Sequence, residues 1–90
     1  MILALLDNMK KLTWKKKKYD DLTFWMAEIK STGWQFSIEQ IAKGEYRAYI
    51  YYGHGEDYPI APIAFYDLKE AQDFCNNWLH DTIINLNKWI

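Results

Sequence analysis

The stretch WQFSIEQIAKGEYRAYIYYG, residues 34–53, decides the fold. Trp34, Phe36 and Ile38 alternate with polar residues, which is the period of a half-buried β-strand. Lys43-Gly44 marks a turn, because glycine readily adopts the backbone conformations that tight turns require. A second alternating run follows the turn, so the stretch predicts two adjacent strands of one sheet.

The second of these strands, residues 45–52, carries aromatic side chains on both of its faces. Arg47, Tyr49 and Tyr51 share one face, and Tyr46, Ala48, Ile50 and Tyr52 share the other. Because both faces carry large side chains, we expect a strand inside the sheet rather than at its edge. Residues 60–65 predict a short third strand at an edge or a bulge, since Pro62 cannot donate a ladder hydrogen bond.

The last part of the chain predicts its longest element. Asp67-Leu68-Lys69-Glu70 resembles a capping box, with aspartate in the place of serine or threonine. Apolar residues recur at helical spacing from there to the end: Leu68, Ala71, Cys75, Trp78, Leu79, Ile83, Leu86 and Ile90. A helix over residues 68–89 would be about 33 Å long. We therefore expect residues 83–90 to extend beyond the sheet and to need an apolar partner.

The N-terminal half predicts two further helices. Asp20 or Asp21 can cap a helix N-terminus, and four apolar residues then share one helical face: Leu22, Trp25, Met26 and Ile29. Gly33 is a plausible stop, because glycine accepts the left-handed conformation that ends many helices. Ile2–Leu12 shows the same spacing and predicts a short amphipathic helix that must pack on something to be stable.

These elements together predict a small two-layer α+β domain. The expected order is α-β-β-β-α, with a three-stranded antiparallel sheet against two helices, preceded by the short N-terminal amphipathic helix. Residues 1–18 are expected to form a basic amphipathic arm, and residues 19–90 the single α+β domain. The element order resembles that of the double-stranded-RNA-binding domain, but Asp67–Ala71 lacks the basic motif of that family. The resemblance is therefore one of topology.

Composition narrows the class of protein. The chain has 90 residues, enough for one domain, and 18% of them are aromatic, which can fill a small core without disulfides or metals. Its single cysteine, Cys75, cannot form an internal disulfide. The apolar run of residues 2–6 is far shorter than the roughly 20 residues that span a bilayer. We therefore expect a cytoplasmic protein that does not insert into membranes.

Charge is distributed unevenly along the chain. Residues 1–18 hold six lysines and one aspartate, whereas residues 19–90 hold five basic and eleven acidic residues. Within the basic part, lysines flanked by aromatic residues form a candidate site for an anionic partner: Trp14, Lys15, Lys16, Lys17, Lys18 and Tyr19. Lysines neutralise phosphates and rings stack on bases, so the run suits nucleic acid. It equally suits an acidic protein, an anionic membrane surface, or a solvated linker with no partner.

Aromatic and apolar residues elsewhere indicate a protein-binding surface. Tyrosine, tryptophan and arginine are enriched at interfaces, and Arg47, Tyr49 and Tyr51 share one strand face. Trp89 and Ile90 end the chain with an apolar tip, which can dock within the monomer or contact a second copy. We predict partner binding by Arg47, Tyr49, Tyr51, Trp89 and Ile90. The alternative for the tyrosines is that another element of the chain covers them.

The chain shows no recognisable catalytic set. The loop Gly53–Tyr58 contains His54, Glu56 and Asp57, but no second ligand cluster or nucleophile supports a metal or catalytic role. The only other histidine is His80, beside Asp81. Phosphate loops, zinc spacings and nucleophile elbows are missing from the sequence. We therefore predict no catalytic residues, no metal ligands and no cofactor.

The leading functional hypothesis is a small non-enzymatic protein-binding module, regulatory or inhibitory toward a larger partner. One alternative is a nucleic-acid-binding protein that uses the basic N-terminal arm. Another is a structural or regulatory homodimer that forms through the C-terminal helix.

Overall fold

Five antiparallel strands and one helix make up the computed structural model, which describes residues 12–30, 32–53, 55–61 and 63–87. The elements are β1 (Trp14–Tyr19), β2 (Leu22–Ile29), β3 (Trp34–Ala42), β4 (Glu45–Tyr51), β5 (Asp57–Pro59) and α1 (Leu68–Asn87). The strands lie side by side in chain order as one sheet, β1-β2-β3-β4-β5. The protein is a small α+β domain.

The prediction of a three-stranded sheet against two helices is wrong. The segment predicted to be the first helix of the domain is β2, and it pairs with β1 on one side and with β3 on the other. Leu22, Trp25 and Ile29 fit a helical face, but Trp25, Ala27 and Ile29 equally fit one face of a strand. Aromatic and β-branched residues favour the strand, and the neighbouring strands supply its hydrogen bonds.

The lysine run forms β1 and therefore belongs to the sheet. Its residues pair with β2 from Trp14↔Ala27 to Tyr19↔Leu22. Asp20 and Asp21, predicted as a helix cap, form the two-residue turn of this hairpin, and Asp20 has a φ of 53°. Positive φ is characteristic of such turns, and aspartate tolerates it better than most residues. The domain boundary expected between residues 18 and 19 falls inside β1.

The turn between β2 and β3 contains Gly33, which was predicted to end a helix. Its φ of 77° requires the freedom of glycine. The hydroxyl of Thr32 donates a hydrogen bond to the carbonyl of Ile29 (2.6 Å) and accepts one from the N–H of Trp34 (3.0 Å). The turn thereby fixes the register in which Ile29 lies opposite Trp34.

The hydrophobic core lies between α1 and one face of the sheet, which we call the helix face. The strands contribute Ala27, Ile29, Phe36, Ile38, Ala48 and Ile50, and α1 contributes Ala71, Cys75, Leu79 and Ile83. Phe36 is fully buried at its centre and packs against the rings of Trp14 and Trp78, with centroids at 6.4 and 5.7 Å. The helical spacing predicted for α1 is confirmed by these buried positions.

Asp67 caps α1, as the sequence predicted. Its carboxylate accepts a hydrogen bond from the N–H of Lys69 at 3.0 Å. The third strand expected over residues 60–65 is wrong: β5 comes earlier, and Phe65 forms only an isolated bridge with Tyr46. Pro62 lies outside the described residues.

The two ends of the chain carry several predictions that remain untested. The N-terminal helix expected over Ile2–Leu12 falls outside the described residues except for Leu12, which is not helical and is buried in the core. Residues 88–90 also lie outside them. Ile83, expected to extend past the sheet, is fully buried in the core instead.

Candidate binding face

The sheet face opposite α1, which we call the open face, carries side chains of alternate residues from all five strands. They are Lys15, Lys17, Tyr19, Leu22, Phe24, Met26, Glu28, Gln35, Ser37, Glu39, Arg47, Tyr49, Tyr51, Asp57 and Pro59. Among the described residues, no helix or second sheet packs on this face. A sheet face that no described element covers is a candidate binding surface.

An aromatic strip crosses the middle of the open face. We define it as Phe24, Met26, Tyr49 and Tyr51, all of which are half-buried. Ser37 lies between Met26 and Tyr49 in the ladder and is only 6% exposed. A shallow groove of about 260 Å³ is lined by Phe24, Met26 and Tyr51 of the strip and reaches Glu39 and Asp57. The strip therefore combines apolar area with the polar tips of two tyrosines.

A second groove lies beside the strip, toward β1, and we call it the basic groove. It has a volume of about 380 Å³ and is lined by Thr13, Lys15, Lys17, Met26, Glu28, Lys30 and Gln35. Three lysines against one glutamate give this groove a net positive charge, although the chain as a whole has a net charge of −1. Its electrostatics therefore favour an anionic group next to the aromatic strip.

The structure brings together residues from the two predicted sites. Arg47, Tyr49 and Tyr51 share the open face with Lys15 and Lys17, because the alternation of β1 and β4 directs them to the same side. In the sheet, Lys15 lies in the same row as Met26, Ser37 and Tyr49.

The basic site is divided between the two faces of the sheet. Trp14 and Lys16 belong to the helix face: Trp14 packs on the core, and the Lys16 ammonium lies 5.9 Å from the centre of the Trp25 ring. Lys18 alternates to the same side as Lys16. Tyr19, the last residue of β1, alternates to the open face with Lys15 and Lys17 and is 73% exposed.

The other predicted partner contacts, Trp89 and Ile90, lie outside the described residues, so their role in partner binding remains a prediction.

Sequence reasoning missed Phe24 and Met26, which complete the aromatic strip. The helix prediction for residues 22–29 placed Met26 on the buried face. A strand prediction for the same residues would have placed Phe24 and Met26 on one face and Trp25 and Ala27 on the other. The residues also fit a two-residue period, and this was the available signal. Tyr58 does not belong to the aromatic strip. It lies on the helix-face side, where the centre of its ring is 5.8 Å from the centre of the Tyr52 ring.

The remaining titratable residues that the structure describes are not grouped into a further site. In residues 12–30, 32–53, 55–61 and 63–87, no group of three or more His, Cys, Asp or Glu side chains is arranged to hold a metal ion. His80 lies on the exposed side of α1, and its Nδ1 atom is 4.0 Å from Oδ1 of Asp81. Burial raises the pKa of the Cys75 thiol to about 12. His54 lies outside the described residues.

Comparison with known proteins adds no assignment. No protein-family model, no curated protein and no solved structure matches this chain. Within the described residues, no helix has the length and apolarity needed to cross a bilayer.

Proposed function

We propose that this protein is a small non-enzymatic protein-binding module, regulatory or inhibitory toward a larger partner, and that it binds through the open face. The observation that carries the proposal is the aromatic strip, in which Tyr49 and Tyr51 of β4 share a face with Phe24 and Met26 of β2, and no described helix or sheet covers that face. Charged residues surround the strip, including Lys15 on one side and Asp57 on the other.

This arrangement matches the chemistry of protein interfaces. Such interfaces typically have an apolar and aromatic centre, where most of the binding free energy arises, and a polar rim that remains hydrated. Tyrosine contributes large contact area and a hydrogen-bonding tip at low cost in side-chain entropy. Arg47 is exposed and lies at the margin of the strip, where it can pair with a carboxylate of the partner.

Affinity capture from the native host with purified variants tests the proposal. Replacing both tyrosines, Tyr49→Ser with Tyr51→Ser, should weaken the retained complex at least about tenfold, because aromatic hot spots dominate interface energetics. Tyr49→Phe with Tyr51→Phe keeps the rings and should retain most of the binding. Circular dichroism and the thermal midpoint report whether each variant is folded.

Tyr66→Ser is the matched control, because Tyr66 is 76% exposed and lies outside the sheet. It should capture the same partner as the unmodified protein. If the double serine variant is folded and captures that partner equally well, the open face is not the binding surface. If the unmodified protein captures no partner, the proposed function is contradicted.

Single-stranded nucleic-acid binding is a second candidate function for the same face. The observation in its favour is that Lys15 and Lys17 share the face with the three rings of the aromatic strip, an arrangement in which bases stack while ammonium groups neutralise phosphates. Against it, Glu28, Glu39 and Asp57 are carboxylates on the same surface. This candidate predicts affinity for an oligonucleotide that falls steeply with salt.

A matched pair of variants tests the second candidate. Lys15→Gln with Lys17→Gln removes charge from the open face, and Lys16→Gln with Lys18→Gln removes equal charge from the opposite side of β1. Only the first pair should weaken binding of single-stranded DNA. Equal losses, or no binding at low salt, would exclude nucleic-acid recognition by this face.

We also propose that the protein works in the cytoplasm. Cys75 is a free thiol in the core, so the fold does not depend on an oxidising compartment. Fractionation of native cells with an antibody to the chain would test this location, and recovery in a secreted fraction would contradict it.

A further inference from the structure

The outer edge of β1 is a second recognition feature, distinct from the side chains of the open face. Among the strands of the described residues, β1 is terminal and pairs only with β2. Alternate residues of an edge strand direct their N–H and C=O groups away from the sheet, where another strand can pair with them. β1 has six residues, and at about 3.4 Å per residue it offers an edge roughly 20 Å long.

Four consecutive lysines of β1 surround this edge on both sides. Lys15 and Lys17 project to the open face, while Lys16 and Lys18 project to the helix face, and all four are exposed. A strand that pairs with β1 would therefore meet a lysine side chain at four successive positions. The charge of the added strand decides whether the pairing is favourable.

The positive charge of the lysines disfavours pairing with a second copy of β1 and favours pairing with an acidic strand. Opposite charges on paired strands stabilise by roughly 0.2–1 kcal/mol per pair, whereas like charges directly opposite are destabilising. Two copies of β1 paired with each other would place lysines against lysines. An acidic strand would place carboxylates against them. The lysines thus block self-pairing, a common protection of edge strands, while leaving the edge open to an acidic chain.

The hydrogen-bonding pattern selects a polypeptide over a nucleic acid. The edge presents donors and acceptors in alternation, and another strand supplies the complementary acceptors and donors. A phosphodiester backbone supplies phosphate oxygens, which only accept. The phosphate backbone of a nucleic acid can therefore pair with the lysines of β1 but cannot donate hydrogen bonds to its carbonyls.

We propose that β1 accepts an extended acidic segment of a partner protein as an additional strand of the sheet. This inference rests on the proposed function in requiring a protein partner. It uses the backbone of β1 rather than the rings of Tyr49 and Tyr51, so the two proposals can fail separately. Strand addition is a known mode of peptide recognition, with affinity from main-chain hydrogen bonds and selectivity from side chains.

A synthetic peptide as long as β1, with four consecutive glutamates between two valines, is the probe, titrated into the full chain. Binding should be saturable. N-methylation of every residue of the peptide should weaken its affinity at least tenfold, because the peptide then keeps its charge but loses all backbone donors. N-methylation of alternate residues leaves one edge of the peptide intact and should preserve most of the affinity. Hydrogen exchange of β1 amides should slow on binding.

Variants of the chain separate the edge from the open face. Replacing all four lysines, Lys15 to Lys18, with glutamine should weaken peptide binding at least tenfold. Lys69→Gln is the matched control, because Lys69 is a highly exposed lysine on α1, and it should change nothing. Tyr49→Ser with Tyr51→Ser should also leave peptide binding intact, even if it abolishes capture of the partner.

Several outcomes would overturn the inference. If the fully N-methylated peptide binds as tightly as the parent peptide, charge alone accounts for the binding. A loss of binding in the tyrosine variant would place the peptide on the open face. Equal competition by a single-stranded oligonucleotide, or no saturable binding of the parent peptide, would also contradict strand addition.

Discussion

Cys75 lies on the buried side of α1, where its thiol is fully enclosed by the core. Burial disfavours the charged thiolate and raises the pKa of the Cys75 thiol from 9.0 to about 12. In the unfolded chain the thiol ionises at its ordinary pKa. Between these two values the unfolded state therefore binds fewer protons than the folded state, and stability falls as pH rises.

This linkage predicts a specific alkaline loss of stability. The free energy of unfolding of the native chain should decrease from about pH 9 upward, with a contribution from Cys75 of at most about 1.4 kcal/mol per pH unit. Urea unfolding at several pH values measures the slope. Cys75→Ala, which removes the titration of the thiol, should show a shallower slope. Identical slopes would contradict the burial of the thiol.

Phe36 is the residue on which packing of the two layers depends most directly. Its ring contacts Trp14 from β1 and Trp78 from α1. Phe36→Ala should lower the free energy of unfolding by about 3–5 kcal/mol, because it removes buried area and leaves a cavity. Tyr66→Ala, at an exposed ring outside the sheet, should change it by less than about 0.5 kcal/mol. Similar losses in urea unfolding for both variants would contradict this core.

At the scale of elements, the hairpin of β1 and β2 depends on its two-residue turn. Asp20 adopts positive φ and Asp21 does not. Asp20→Val should destabilise the protein by about 1–2 kcal/mol, because a β-branched residue is strained in the left-handed region. Asp21→Val is the matched control and should cost less, while Asp20→Gly should preserve or raise stability. Urea unfolding measures all three, and an equal cost at positions 20 and 21 would contradict this turn.

The elements that the sequence predicted correctly are those with an unambiguous period. Residues 34–52 alternate clearly, and β3 and β4 fall there, while the repeat after Asp67 admits only a helix. Residues 22–29 satisfy both periods, and the choice depends on whether neighbouring strands pair with them. Four successive lysines show no alternation at all, and lysine is depleted in strands. The sequence therefore did not indicate that residues 14–19 form a strand.

The candidate site was predictable only in part for the same reason. The alternation of β4 placed Arg47, Tyr49 and Tyr51 on one face, and the structure places them there. The lysines were recognised as a basic cluster, but their division between two faces follows from the pairing of β1 with β2. Without β1 and β2 in the sheet, no argument from sequence could place Lys15 and Lys17 in the same surface as the tyrosines.

At the scale of the whole molecule, the two faces of the sheet differ in what packs on them. One face is covered by α1 and contains the core, while the other exposes the aromatic strip and the basic groove. The binding surface that we propose is this second face, and the lysine edge of β1 adjoins it.

Site-specific photocrosslinking in the native host tests this assignment most directly. A photoreactive phenylalanine analogue at position 49 reports on the open face, and the same analogue at position 66 reports on an exposed ring outside the sheet. We expect a discrete crosslinked protein partner from position 49 and none, or a much weaker one, from position 66. Crosslinks to that partner from position 66 but not from position 49 would contradict partner binding by the open face.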